Sequence, residues 1–142
     1  MRHIFLDTNA VVDILLEREP WFTQLQDILN LYVSSLVDDI RCSSMTIGTA
    51  YYLMERFRIP HDVIIEKIRR FRVCCNISSV DEGMVDSALQ SSFNDLEDAM
   101  QYYSALSASC DVIITRNKKD FVESSIPAME PQEFLDKLYS KE

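Results

Sequence analysis

Three short segments concentrate the side chains that could do chemistry. The first is Asp7-Thr8-Asn9, which closes the apolar run His3-Ile4-Phe5-Leu6. The second is Asn94-Asp95-Leu96-Glu97-Asp98, and the third is Thr115-Arg116-Asn117-Lys118-Lys119-Asp120, which follows the apolar run Val112-Ile113-Ile114. Each has an ordinary structural use. Asp7 can cap the helix that follows it. Asp95 and Asp98 are spaced as a helix start, where acids favour the dipole. A polar turn after a strand is common. The functional reading rests on convergence: Asp7, Asp98 and the Asn117/Asp120 pair come from distant segments, yet all are expected at one edge of one sheet. Clustered carboxylates repel one another and hold protons unless cations are present. Oxygen-rich clusters suit magnesium or manganese. Such ions activate water and stabilise a phosphoryl transition state.

Alternating elements must position these groups. Residues 2–6 read as a first strand. Asn9 to Leu16 form a short helix with Val11, Val12, Leu15 and Leu16 as its stripe. Trp21 to Val37 form a longer helix with Phe22, Leu25, Ile28, Leu29, Tyr32, Val33 and Leu36 at helical spacing. Ile40 to Ser43 are a second strand, followed by a helix from Ser44 or Thr46 through Phe57 and another opened by Pro60. Val73 to Val80 are a third strand. Asp81 and Asp95 cap two further helices, the second with a stripe of Leu96, Ala99, Tyr103 and Leu106. Val112 to Thr115 form a fourth strand, Asn117 to Phe121 a turn, Ile126 to Met129 a short edge strand, and Pro131 starts the last helix. This alternation predicts an α/β fold in three layers, α/β/α, around a mostly parallel sheet. In such sheets ligands sit at the carboxyl ends of the strands.

Composition narrows the classes. A chain of 142 residues, 47% hydrophobic, is expected to fold as a single domain over 1–142. With only 2 Gly and 4 Pro it is neither disordered nor turn-rich all-β. No run is long and apolar enough to span a membrane, and no signal peptide precedes the first strand. Cys42, Cys74, Cys75 and Cys110 lack zinc spacing and read as thiols of a reducing cytoplasm. A net charge of −9 argues against generic polyanion binding but not against a local site, and it suits a basic partner protein. Arg116, Lys118 and Lys119 flank the proposed site, while Arg56, Arg58, Lys67, Arg69, Arg70 and Arg72 read first as a solvated helix face.

The segments Phe5-Leu6-Asp7-Thr8-Asn9, Asp95-Leu96-Glu97-Asp98-Ala99 and Ile114-Thr115-Arg116-Asn117-Lys118-Lys119-Asp120-Phe121 occur in the order and spacing of the PIN-domain family. The chain resembles these metal-dependent ribonucleases over essentially its whole length, and in particular the branch containing toxins of bacterial toxin–antitoxin pairs. The resemblance implies hydrolysis of RNA phosphodiester bonds with Mg2+ or Mn2+. It implies Asp7, Asp98 and Asp120 as metal ligands, with Asn117 also in the catalytic set. Thr8, Asn9, Asp95 and Thr115 would support them. It further implies a homodimer and an antitoxin partner. One position departs from the pattern. Where many members carry a Glu after a Thr-apolar-x segment, Thr46-Ile47-Gly48-Thr49 places Thr49, which brings no charge. The alternative reading is therefore a weakened PIN-like module that binds RNA or a protein without cleavage. A phosphatase-like use of Asp7 as phosphoryl acceptor fits less well, since it wants Asp at Asn9 and Thr at Val11.

Overall fold

The computed structural model describes residues 1–140. Five strands, β1 (His3–Leu6), β2 (Asp39–Ser43), β3 (Asn76–Ser78), β4 (Val112–Ile114) and β5 (Ala128–Met129), form one sheet in the order β3-β2-β1-β4-β5. Every pairing is parallel, with Phe5 opposite Arg41 on one side and Ile113 on the other. Seven helices complete the chain: α1 (Thr8–Leu15), α2 (Trp21–Val33), α3 (Ser44–Arg56), α4 (His61–Arg72), α5 (Glu82–Leu89), α6 (Leu96–Ser107) and α7 (Pro131–Tyr139).

Strand alternation divides the core between the two faces of the sheet. Ile4, Leu6, Ile40, Val112 and Ile114 pack with residues of α1, α2, α3, α4 and α7. Phe5 and Ile113 point the other way and pack with Tyr102 and Ala105 of α6, Phe121 and Ile126. The result is the expected three-layer α/β/α arrangement. The winding direction reverses between β1 and β4, because β2 and β3 lie on one side of β1 while β4 and β5 lie on the other. A reversal of this kind opens a crevice at the carboxyl ends of the two central strands.

Several boundaries differ from the sequence expectation. α2 stops at Val33 instead of Val37, leaving Val33 and Leu36 exposed. The stop is a Schellman turn built on a non-glycine residue. Ser35 takes φ 59°, Leu36 N donates to Leu31 O at 2.8 Å, and Ser35 N donates to Tyr32 O at 3.1 Å. Glu17, Arg58 and Ser109 occupy the same left-handed position after α1, α3 and α6. Both glycines, Gly48 and Gly83, lie inside helices. The third strand is confined to Asn76–Ser78, because α4 continues to Arg72 and Val73 keeps helical angles at its cap. The turn at 117–121 closes as a 3-10 helix over Lys118–Phe121.

The face of α6 is also rotated from the expected stripe. Leu96 and Leu106 are exposed, whereas Ala99, Gln101, Tyr102, Ser104 and Ala105 are buried. Buried Ser104 is satisfied at the β3 end of the sheet: its Oγ lies 2.6 Å from Ser78 Oγ and donates to Ser79 O at 2.8 Å. Small and amide side chains let α6 approach β2 and β3 closely, which bulky leucines would prevent.

A left-handed L-residue costs about 1–2 kcal/mol that glycine escapes. Ser35→Gly is therefore expected to raise the unfolding free energy by about 1 kcal/mol, read as a higher urea midpoint. Ser35→Val is expected to lower it.

Candidate active site

Asp7 immediately follows β1, and its backbone N–H extends the β1–β4 ladder by donating to Ile114 O at 3.0 Å. Its side chain is buried and held on both oxygens. Thr8 N donates to Oδ1 at 2.9 Å, capping α1. Thr115 Oγ1 donates to Oδ2 at 2.9 Å and Asn9 Nδ2 to the same oxygen at 3.0 Å. Cap and site residue thus coincide in one carboxylate. Burial raises the Asp7 pKa; hydrogen bonds from Thr115, Thr8 and Gln101 oppose the shift, and the charge of Glu97 adds to it.

Thr115 has no exposed surface, and its hydroxyl is fully engaged inside the protein. Besides donating to Asp7, it accepts from Asn9 Nδ2 at 3.1 Å and from Asn117 N at 3.0 Å. It therefore positions Asp7 and the following loop. Asn9 is a two-sided clip, since its Oδ1 accepts from Arg116 N at 3.1 Å.

α6 brings the second acid. Asp95 caps it, accepting from Asp98 N at 3.0 Å. Asp98, half-buried, is pushed up to about 7 by burial first and then by the charges of Asp7, Asp95, Asp120 and Glu97. Those causes mark the four carboxylates as its electrostatic neighbours. Asp120 and Asn117 are exposed on the loop after β4. A small cavity of about 60 Å³ beside them is lined by Asp95, Asp98, Lys119, Asp120 and Glu123, with Phe93 and other neighbours. A concavity of about 250 Å³, lined by Ile14, Phe22, Leu29 and Phe71 among others, includes none of the mouth residues.

Thr49 is half-buried on α3, one helical turn beyond Thr46. Thr46 reaches the mouth, with Oγ1 2.8 Å from Thr8 Oγ1 and 3.2 Å from Ser43 Oγ. The sequence reading gave Thr46 no role, and it missed Gln101 and Asp13 entirely. Gln101 stands three residues after Asp98 and so shares its helix face, which is the one sequence signal that pointed to it. Asp13 is wholly buried and accepts from Arg116 Nε at 2.7 Å and Nη2 at 3.1 Å, and it pairs with Arg18 Nε at 3.1 Å. The Arg116 guanidinium lies 4.0 Å from the Trp21 ring centre. This anchors the loop that carries Asn117 to α1 and α2.

The donor set is all oxygen, as hard divalent cations require. Among the described residues, no three His, Cys, Asp or Glu side chains converge on one point to hold an ion. Asp7, Asp98 and Asp120 offer carboxylate oxygens, the donor chemistry that magnesium and manganese take.

The family model described as PIN domain matches residues 3–119 of the chain. The chain belongs to the PIN-domain family. It is 26% identical over 139 residues to Ribonuclease VapC1 of Aquifex aeolicus, covering 94% of each chain. Its fold is similar to that of a toxin–antitoxin complex chain from Klebsiella pneumoniae, with TM-score 0.65 and 20% identity, covering 90% of this chain and 97% of the other. It is also similar to that of VapC20 from Mycobacterium tuberculosis, a toxin that cleaves the sarcin-ricin loop. There the TM-score is 0.59 at 14% identity, covering 78% of this chain and 86% of the other.

Two outcomes are expected from this geometry. Because the folded state raises the Asp98 pKa from its ordinary value of 3.8 to about 7, the folded protein binds that proton more tightly than the unfolded chain. Stability is therefore greatest at the acid end of that window and declines as pH rises toward 7. Asp38 and Asp111, held below the usual range by Arg2 and by backbone N–H groups, act oppositely but only below about pH 4. Melting temperatures from pH 4.5 to 8 without divalent ions should fall, and Asp98→Asn should flatten the slope. Separately, Asp13→Ala leaves two guanidiniums without their shared partner. It should cost about 3 kcal/mol in chemical denaturation and alter Trp21 emission.

Proposed function

We propose that this PIN-domain chain is a divalent-metal-dependent ribonuclease that hydrolyses RNA phosphodiester bonds, and that it is the toxin of a toxin–antitoxin pair. The observation that carries the reading is the Asp98 carboxyl. It is crowded by Asp7, Asp95, Asp120 and Glu97 at the crevice beside β1 and β4, and its charge is unfavourable without a cation. Similarity to a ribonuclease named VapC1, and to chains solved as toxin–antitoxin complexes, supports the same reading.

Asp7 and Asp98 would hold the ion, Mg2+ or Mn2+, with Asp120 reaching it through water. Bound there, a divalent cation supplies an acidified water and neutralises charge on the phosphoryl oxygens. The chain's own residues do the rest. Asn9 and Thr115 hold the Asp7 carboxylate in one orientation. Asn117, exposed at the rim, would help Asp120 position water, and Lys119, beside the small cavity, would draw the backbone of the RNA toward an otherwise acidic protein. The working unit on this reading is a single domain, paired as a homodimer in the cytoplasm and restrained by an antitoxin protein. No helix among the described residues is long and apolar enough to cross a membrane.

A second reading has an observation of its own. Thr49 supplies no carboxylate, and no three acidic ligands converge among the described residues. A weakened module would bind RNA or a protein partner without cutting.

Calorimetric titration of Mn2+ separates the first requirement from the choice of substrate. Saturable binding by the native protein, lost in Asp7→Asn and Asp98→Asn, is the expected result. Total RNA should then be cut by the native protein and at least 100-fold more slowly by either variant. Mn2+ binding with intact RNA would establish the non-cleaving module instead.

A further inference from the structure

Gln101 is a fully buried amide with no place in the reaction described above. Its Nε2 lies 2.6 Å from Thr8 Oγ1, 2.8 Å from Thr46 Oγ1 and 3.5 Å from Asp7 Oδ1. The two N–H protons serve the two threonine hydroxyls, and the positive end of the amide dipole faces the Asp7 carboxylate. One carboxamide thereby ties α6 to the β1–α1 junction and to α3. Its other end is unusual. Gln101 Oε1 is buried and, among the described residues, is the side-chain polar atom with no hydrogen-bond partner. Leaving such an acceptor unmatched costs about 1–3 kcal/mol. A methionine would fill similar volume at this position without that penalty. Oε1 is bonded to the same carbon as Nε2, whose partners are Thr8, Thr46 and Asp7.

We propose that Gln101 is a positioning residue of the cation site, fixing Thr8, Thr46 and Asp7 through Nε2 and accepting a hydrogen bond from cation-bound water through Oε1. A neutral acceptor serves this position because the mouth already gathers Asp7, Asp98, Asp120 and Glu97, and another carboxylate would add repulsion to the unloaded protein. Groups that act on a metal through its ligands and waters commonly change affinity 10–100-fold when removed. This inference rests on the metal-dependent reading above.

The test is Mn2+ calorimetry on the native protein, Gln101→Met and Gln101→Glu, with thermal melts of each with and without Mn2+. Gln101→Met should bind Mn2+ about 10-fold or more weakly while still melting cooperatively. Gln101→Glu keeps an acceptor oxygen but loses both N–H donors and sets a charge beside Asp7, so it should also bind Mn2+ more weakly than the native protein, with a smaller Mn2+-induced rise in melting temperature. A purely structural amide would lower the metal-free melting temperature of Gln101→Met and leave its Mn2+ affinity unchanged; that result overturns the role of Gln101 and leaves the metal reading standing. If Gln101→Met does not fold, a Mn2+-induced rise in Gln101→Glu as large as in the native protein overturns the proposal. Failure of the native protein to bind Mn2+ overturns both readings.

Discussion

The carboxylate of Asp7, clamped where β1 and β4 end side by side, is the constraint on which the rest of the mouth depends. A buried carboxylate is costly unless its oxygens are matched. Here two chain regions supply the match: the start of α1, through its first N–H and the Asn9 amide, and the end of β4, through the Thr115 hydroxyl. Each donor has further obligations. Thr115 accepts from Asn117 N, and Asn9 accepts from Arg116 N. Solvating one group has thus fixed the start of α1, the end of β4 and the first residues of the following loop. The same loop is held from outside by Arg116, which grips buried Asp13 and stacks on Trp21.

Electrostatics then distinguish the two principal acids. Asp7 is surrounded by donors, which counter the effect of its burial. Asp98 has no comparable set and faces other carboxylates, so its proton is held to about pH 7. The two aspartates are thereby given different surroundings, one matched by hydrogen-bond donors and the other crowded by carboxylates. α6 makes this arrangement by presenting a narrow polar face, Asp98 and Gln101 followed by Ser104, to the sheet. Elsewhere in the protein such a face would be solvent-exposed; here Gln101 Nε2 meets Thr8 and Thr46, and Ser104 Oγ meets Ser78 and Ser79.

Much of this was legible without coordinates. The apolar run before Asp7, the apolar run before Thr115 and the helical periodicities between them were enough for the layer architecture and the parallel sheet. The helix ends were less legible. Ser35, Arg58, Ser109 and Glu17 close their helices in left-handed geometry, a task for which glycine is the usual signal. Without glycine there, an apolar pattern such as Val33 to Leu36 reads as continuing helix although those side chains are exposed.

The sequence by itself determined that acids from three separated segments would meet at the carboxyl edge of a parallel sheet, because strand and helix periods are local and the crossover rule leaves little choice of hand or edge. It also determined the loss of charge at Thr49, which no folding can restore. Only the tertiary structure decided which way α6 faces, because Leu96 and Ala99 offer the sheet a plausible stripe until Ser104 and Gln101 find partners on β3, α1 and α3. It also decided that Asp13 is buried and that Thr115 turns inward. Those outcomes depend on long-range hydrogen bonds, and whether a polar side chain is solvated or paired is a property of what packs against it, not of its neighbours in the chain.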